Sequence, residues 1–349
     1  MLIIEKNMNQ LTSRQRKILS LIIHEHIRSA EPVGSRYLVD RYGLDFSPAT
    51  IRNEMSALTE AGFLRQPHTS AGRVPTEEGY RFFVGQLMNE TTLPDTMRHT
   101  INHQFSQMAN DMKQWMQLAA SVLANQTHAA SLVTAPQAVE TRIKHVELIS
   151  THGRQALAIL VLEGGQIHQN ILMLEEPVTQ ETLSVVSNKF SHLFSGKNLK
   201  AIQAFEGPMT ELESRVIDWI EEELARSDRL PTGEIYMDGI TNVLSEPEFA
   251  DAEDARRALR LLDERSILQD MLSNTILPES IGGVQVIIGG EGRWDDLRQC
   301  SVILSKYGSP GIATGTLGIL GPMRMSYGPS ISMVRYLSGL LSDFITEQW

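Results

Sequence analysis

Ser47-Pro48-Ala49-Thr50-Ile51-Arg52-Asn53-Glu54-Met55-Ser56-Ala57-Leu58 is the stretch whose reading decides the N-terminal fold. A serine followed by a proline offers a capping hydroxyl and then a residue whose fixed φ suits the first helical position, the strongest helix-start signal in the chain. Ile51, Met55 and Leu58 recur at helical spacing and predict a buried stripe on a helix from about Ala49 to Ala61, closed by Gly62. Ala49, Asn53 and Ser56 fall opposite that stripe, flanked by Thr50 and Arg52. The outward face is therefore small and polar near the helix N-terminus. Small residues permit close approach to a duplex, Asn can pair bidentately with adenine, and Arg can reach guanine or a phosphate.

Working outward, Thr12 and Gln15 form a capping box, and Leu19, Ile22, Ile23 and Ile27 continue a first helix to about Arg28. Ser29-Ala30-Glu31-Pro32 ends it. Gly34-Ser35 opens a short second helix with Leu38, Val39 and Tyr42 inward, stopped by Gly43. On the far side, Phe63 to Gln66, a loop from Pro67 to Gly72, and Arg73-Val74-Pro75 predict a two-stranded hairpin with a polar tip. Thr76, with Glu77 and Glu78 in the first turn, caps a fourth helix through Tyr80, Phe82, Phe83 and Leu87. Each piece alone suits any small helical domain. Their order in one compact segment is that of a winged helix-turn-helix. The expected DNA contacts are Ser47, Ala49, Thr50, Arg52, Asn53 and Ser56 on the helix, with Arg65, His68, Thr69, Ser70 and Arg73 on the wing.

Charge gives this reading little help. The 349 residues carry a net charge of −11, which opposes an electrostatic attraction to phosphate. Residues 1–88 hold 11 Lys/Arg against 9 Asp/Glu, so the acid excess of 20 basic to 33 acidic residues lies in the remainder. The length suits two or three domains. No apolar run reaches the ~18 residues of a membrane helix. An acid at the fifth position interrupts the apolar core a signal peptide needs, so the expected location is cytoplasmic. The single cysteine, Cys300, excludes an internal disulfide framework and is expected as a buried thiol opening an apolar strand.

Beyond the first segment, apolar residues from Met97 to Val122 step by four and three, which fits a dimerising or linker helix and a plain core helix equally. Ala156–Leu162 and Ile167–Leu172 flank Glu163-Gly164-Gly165 as a hairpin. Val284, Val286 and Ile288 alternate, Ser301–Leu304 and Gly315–Leu320 read as strands, and a helix is expected from about Pro329 to Phe344. Strands bracketed by helices predict an α+β multidomain chain with an antiparallel sheet. No catalytic, cofactor or metal site is legible: His24-Glu25-His26 lacks the i, i+4 histidine spacing of a helical zinc motif, and Gly289-Gly290-Glu291-Gly292 lacks the dinucleotide fingerprint.

The longer motifs resemble one family. Leu11-Thr12-Ser13-Arg14-Gln15, Glu31-Pro32-Val33-Gly34-Ser35-Arg36, Ser47 to Met55, Gln66 to Thr76 and Gly79-Tyr80-Arg81-Phe82-Phe83 are similar to HrcA, the heat-inducible transcription repressors of bacterial chaperone operons. Val284–Gly290, Cys300-Ser301-Val302 and Gly315–Met325 resemble that family's C-terminal half, while 90–136 and 197–234 match only in character. About ten residues precede the first motif, and Gly85 replaces a polar helix former at a local cost of roughly 1 kcal/mol. The resemblance implies a winged helix over 1–90, a GAF-like domain in two parts, 91–178 and 247–349, and an inserted dimerising domain at 179–246. It further implies a homodimer on an inverted-repeat operator of chaperonin and DnaK operons, nucleoid-associated when bound, with the GroEL chaperonin as a partner and no cofactor or membrane. The alternative is a winged-helix repressor that senses a small molecule through the GAF-like domain.

Overall fold

The structure, a computed structural model, describes residues 11–69, 71–88, 91–108, 111–138, 141–163, 166–229, 234–263, 282–289, 297–309 and 312–348. The described chain mixes helices with antiparallel sheets, an α+β architecture, and divides into two compact units. The first takes Met1–Val133, Ile235–Lys306 and Thr316–Leu340; the second takes Thr134–Glu234, Tyr307–Gly315 and Leu341–Trp349.

The first unit begins with α1 (Ser13–Ser29), α2 (Ser35–Tyr42) and α3 (Pro48–Glu60). Both halves of the capping box form at the start of α1, where Thr12 Oγ1 accepts from Gln15 N and Gln15 Oε1 accepts from Thr12 N. Gly43 terminates α2 in the left-handed conformation, where an L side chain would be strained. Ile18, Leu19, Ile22, Ile23, Leu38, Ile51, Met55 and Leu58 are buried, so α1 and α3 turn their apolar stripes inward; on α2 only Leu38 of the expected stripe is buried, Val39 is half-buried, and Tyr42 is exposed because its hydroxyl reaches the Glu25 carboxylate at the surface edge. Short strands β1 (Leu64–Arg65) and β2 (Val74–Pro75) pair antiparallel, followed by α4 (Glu77–Phe82). The expected fourth helix is α-helical only to Phe82 and continues as a π turn over Phe83–Leu87. Gly85, a poor helix former, sits inside that turn.

Helices α5 (Asp95–Ser106) and α6 (Met112–Thr127) replace the single long apolar pattern expected from Asp95 to Leu123. Asp111 begins the second helix by accepting from Lys113 N at 2.9 Å. Trp115, Met116, Ala119, Ala120, Val122, Leu123 and Ala124 are buried, so α6 is a core helix. The larger sheet has the order β8-β3-β11-β10-β9, with β4 (Gln137–Ala138) also on β11. Its strands are β3 (Ala130–Thr134), β8 (Ile235–Asp238), β9 (Val284–Ile288), β10 (Cys300–Ser309) and β11 (Ala313–Pro322). β10 is buried on both faces over most of its length, with Cys300, Val302, Ile303 and Leu304 as its apolar start, and Cys300 is buried where the sequence puts it. Short helices α10 (Ile240–Leu244) and α11 (Ala252–Asp263) follow β8, and α12 (Tyr327–Gln348) ends the chain. Gly290 and Glu291-Gly292 lie outside the described residues.

The second unit is built on an antiparallel meander of β5 (Ile143–Ser150), β6 (Gln155–Leu162) and β7 (Ile167–Met173). Helices α7 (Gln180–Phe194), α8 (Leu199–Gln203) and α9 (Glu211–Arg229) complete it. β6 alternates strictly: Ala156, Ala158, Leu160 and Leu162 enter a core with Leu183, Val186, Phe190, Val216 and Ile220. Within the Thr134–Glu234 stretch of the second unit, β5–β7 bury their inner face on α7 and α9 and, among the described residues, share no strand pairing with the larger sheet.

Candidate nucleic-acid interface

The candidate surface is built from the start of α3 outward. Ser47 has extended backbone, and its Oγ accepts from Thr50 N at 3.1 Å and shares a hydrogen bond with Thr50 Oγ1 at 2.9 Å. Pro48 occupies the first turn. This removes one orphan donor and fixes where the helix starts. Ile51 and Leu58 are 0% exposed and Met55 3%, which anchors α3 and orients its opposite face to solvent. On that face Ala49, Arg52 and Asn53 are exposed, and Thr50 and Ser56 are half-buried. The anchoring extends to the flank, where Arg14 pairs with Glu54 at 3.2 Å and lies over the Phe46 ring at 4.7 Å.

The hairpin stands beside this helix. Gln66 Nε2 donates to the carbonyls of Thr69 at 2.8 Å and Ala71 at 3.2 Å, which ties the end of β1 to the loop that follows it. Arg65, His68 and Thr69 are exposed. Arg73 is half-buried and pairs its backbone with Val33, N to O in both directions at 2.9 Å, so the loop before α2 supports the hairpin. Gly72 is required at that junction, because a Cβ there would lie 2.3 Å from the Val33 carbonyl oxygen. A cleft of about 410 Å³ runs between α3, the hairpin and the start of α2.

Of the residues expected in the site, the structure gathers Arg52, Ser56, Thr69 and Arg73 around that cleft. Ala49 and Asn53 lie on the exposed side of α3, Arg65 and His68 on the hairpin, and Ser47 at the helix cap; Ser70 lies outside the described residues. Gln66 and Gly72 also line the cleft and carry no local signal in the sequence. Thr59 is tied to Arg73, whose Nε donates to Thr59 Oγ1 at 3.0 Å.

Behind the candidate surface lies Glu25 of the His24-Glu25-His26 run. It is buried and accepts from Tyr37 Oη, Tyr42 Oη and Arg28 Nη2, each at 2.7 Å, so it ties α2 to α1. Burial pushes its pKa up, but the three donors and the Arg28 charge outweigh this and hold the carboxyl down at about 2. His26 shares a 2.6 Å hydrogen bond with Tyr80, and burial pushes the imidazole down to about 4. Arg324 joins the same region to the rest of the first unit: its guanidinium donates to Glu248 at 2.6 Å, to Glu246, and to the Ile27 carbonyl at 3.3 Å.

Elsewhere, one grouping has the outline of a catalytic trio. Ser227 Oγ lies 3.2 Å from His168 Nε2, and His168 Nδ1 lies 3.0 Å from Glu223. Ser227 and Glu223 are one turn apart on α9, so the trio braces β7 against that helix. Among the described residues no group of three or more His, Cys, Asp or Glu is placed to hold a metal ion, and no helix is long and apolar enough to cross a membrane.

Comparison with known proteins gives the class. A family model described as HrcA protein C terminal domain matches residues 113–331. A heat-inducible transcription repressor HrcA of Roseiflexus castenholzii is 42% identical over 347 residues, covering 97% of this chain and 95% of that protein. One of the same name from Chloroflexus aurantiacus is 42% identical over 353 residues, covering 97% and 94%. A solved structure of a hypothetical protein superposes with a TM-score of 0.63 at 24% identity, over 97% of this chain and 99% of that one, and so shares the fold. These findings define a transcription regulator of the repressor class. The chain belongs to the HrcA family of heat-inducible transcription repressors.

Proposed function

We propose that residues 11–88 act as a winged helix-turn-helix that binds a double-stranded inverted-repeat operator, and that the chain does so as a homodimer. One observation carries this reading: α3 is anchored by a buried stripe and a capped start while Ala49, Arg52 and Asn53 face solvent together. In the major groove, the Asn53 amide meets an adenine edge and Arg52 a guanine or phosphate, each good bidentate contact contributing about 1–3 kcal/mol of discrimination. The hairpin, with Arg65, His68, Thr69 and Arg73, clamps the adjacent backbone.

A segment this nearly neutral binds one half-site weakly, so dimerisation supplies the affinity by raising the effective concentration at the second half-site. The outer face of the β5–β7 meander supports the dimer. Ile149, Ile167, Ile171 and Met173 are exposed there at 39%, 66%, 54% and 49%, an apolar surface that a partner copy covers. The second unit is accordingly the dimerising domain, and the β8-β3-β11-β10-β9 sheet with its helices is the GAF-like domain it interrupts.

The family membership extends the reading to repression of chaperonin and DnaK operons, with GroEL maintaining the active repressor. A DNA-competent state that is only marginally populated becomes a stress sensor when unfolded clients compete for the chaperone that restores it. The test is selection of duplexes by the full chain from a randomised pool, followed by gel shifts at several salt concentrations with and without GroEL. The reading expects an inverted repeat with half-sites in helical phase and an active fraction that rises with GroEL. Enrichment of no sequence overturns the DNA-binding reading, and an active fraction indifferent to GroEL overturns the chaperone link alone.

A further inference from the structure

We infer that Thr59 is a positioning residue for DNA recognition: through its hydroxyl it holds the Arg73 guanidinium toward the cleft between the α3 helix and the hairpin, so that Arg73 meets a phosphate of the bound duplex. The inference rests on the reading of α3 and the hairpin as the DNA-binding surface.

Thr59 lies in the last turn of α3, on the side that faces the hairpin. Its Oγ1 donates back to the Met55 carbonyl at 2.8 Å, which fixes the hydroxyl rotor and leaves its lone pairs facing away from the helix. Arg73 Nε donates into them at 3.0 Å. The backbone of Arg73 is held as well, by the paired 2.9 Å bonds to Val33. An arginine has five N–H donors, and Nε and the Nη groups lie on different edges of the planar fork. With Nε committed to Thr59, the remaining four hydrogens form no bond to another described residue. Arg73 also lines the cleft, across which lie Arg52, Ser56 and Thr69.

A mobile arginine loses side-chain entropy each time it meets a phosphate; one already held at its backbone and at Nε loses less. The Thr59–Arg73 bond therefore prepares the wing before DNA arrives and couples it to the end of the reading helix. The hydroxyl is needed for this, since valine has the same shape and offers no acceptor. Serine keeps the acceptor and gives up only the methyl.

The experiment uses the full chain and two duplexes, one selected by the wild type from a randomised pool and one scrambled sequence of equal length. Dissociation constants are measured by fluorescence anisotropy from about 50 to 200 mM salt, a range over which phosphate neutralisation dominates the slope. Thr59→Val is expected to weaken binding to both duplexes roughly tenfold. It should also flatten the salt slope by about 0.9 for every phosphate that each protomer no longer neutralises. Thr59→Ser should restore wild-type affinity and slope. Arg73→Gln should reproduce the Thr59→Val slope, and the double variant should be no weaker than Arg73→Gln alone, because the two residues act as one.

A wild-type slope in Thr59→Val, a serine variant no better than valine, or additive effects in the double variant would each overturn the inference while leaving DNA binding intact. Unfolding midpoints measured beside the binding separate a folding defect from a positioning one: a destabilised Thr59→Val that keeps its salt slope counts against the inference. If the wild type enriches no duplex, the DNA-binding reading itself has failed, and this inference falls with it.

Discussion

Glu25→Gln is the substitution that most sharply tests how α2 is held on α1. The wild-type carboxylate accepts three hydrogen bonds at 2.7 Å, from Tyr37, Tyr42 and Arg28. An amide of the same size keeps one acceptor oxygen and replaces the other with a donor that faces donors, so at least one bond disappears and a polar hydrogen is left opposed. The difference between an ordinary Glu near 4.3 and a folded value of about 2 sets a ceiling of about 3 kcal/mol on the charge contribution. Arg28 is more than half exposed, so water screens part of this and about 1–2 kcal/mol is expected. For a unit of this size that lowers the melting temperature by roughly 3–8 °C. The sign of the pH dependence follows from the lowered pKa. The stabilisation is fully present above about pH 4.3 and is lost as pH falls through about 2. Urea unfolding of the wild type and Glu25→Gln at pH 7 and at low pH reads this directly. The gap should be clear at pH 7 and should narrow in acid. A gap under about 0.3 kcal/mol at pH 7, or one that stays constant into acid, refutes the idea that an ionised Glu25 holds α2 on α1.

Two other outcomes follow from the same region. Gly72→Ala should lower stability by about 1–3 kcal/mol and weaken DNA binding, because its Cβ would lie 2.3 Å from the Val33 carbonyl oxygen and must push the hairpin away; an unchanged melting temperature would contradict this. His26 is held neutral with a pKa of about 4, so the unfolded chain binds an extra proton between about pH 6.5 and 4 and stability falls as pH drops through that window. His26→Gln should flatten that part of the stability curve, and an equally steep curve in the variant would assign the dependence elsewhere.

What was legible in the sequence was what short-range chemistry decides. Thr12 with Gln15, Ser47 with Pro48, and Thr76 before two glutamates each mark a helix start by groups within four residues, and all three caps form. The Ile51, Met55, Leu58 stripe carries its own period, so the outward face of α3 is readable without the fold. Glu25 is not readable, because its three donors depend on how α2 packs on α1, and two of them stand 12 and 17 residues away. Thr59 and Arg73 meet for the same kind of reason. The apolar steps from Met97 to Val122 conceal a break that Asp111, a helix-capping residue, marks locally. The limits of the second unit escape a linear reading because an alternating hairpin such as β6–β7 declares itself a strand pair without declaring which core it covers.

In the proposed complex the exposed side of α3 reads base edges while the hairpin holds the backbone. Asn53→Ala tests it most directly, because Asn53 is exposed, forms no side-chain hydrogen bond to another described residue, and carries the amide assigned to a base. Affinities for the selected duplex, for the same duplex with single base-pair changes in each half-site, and for scrambled DNA are compared in wild type and variant. Asn53→Ala is expected to lose about 1–3 kcal/mol of discrimination at one base pair per half-site and to keep its affinity for scrambled DNA. Equal weakening on selected and scrambled duplexes, with discrimination intact at every base pair, would contradict it.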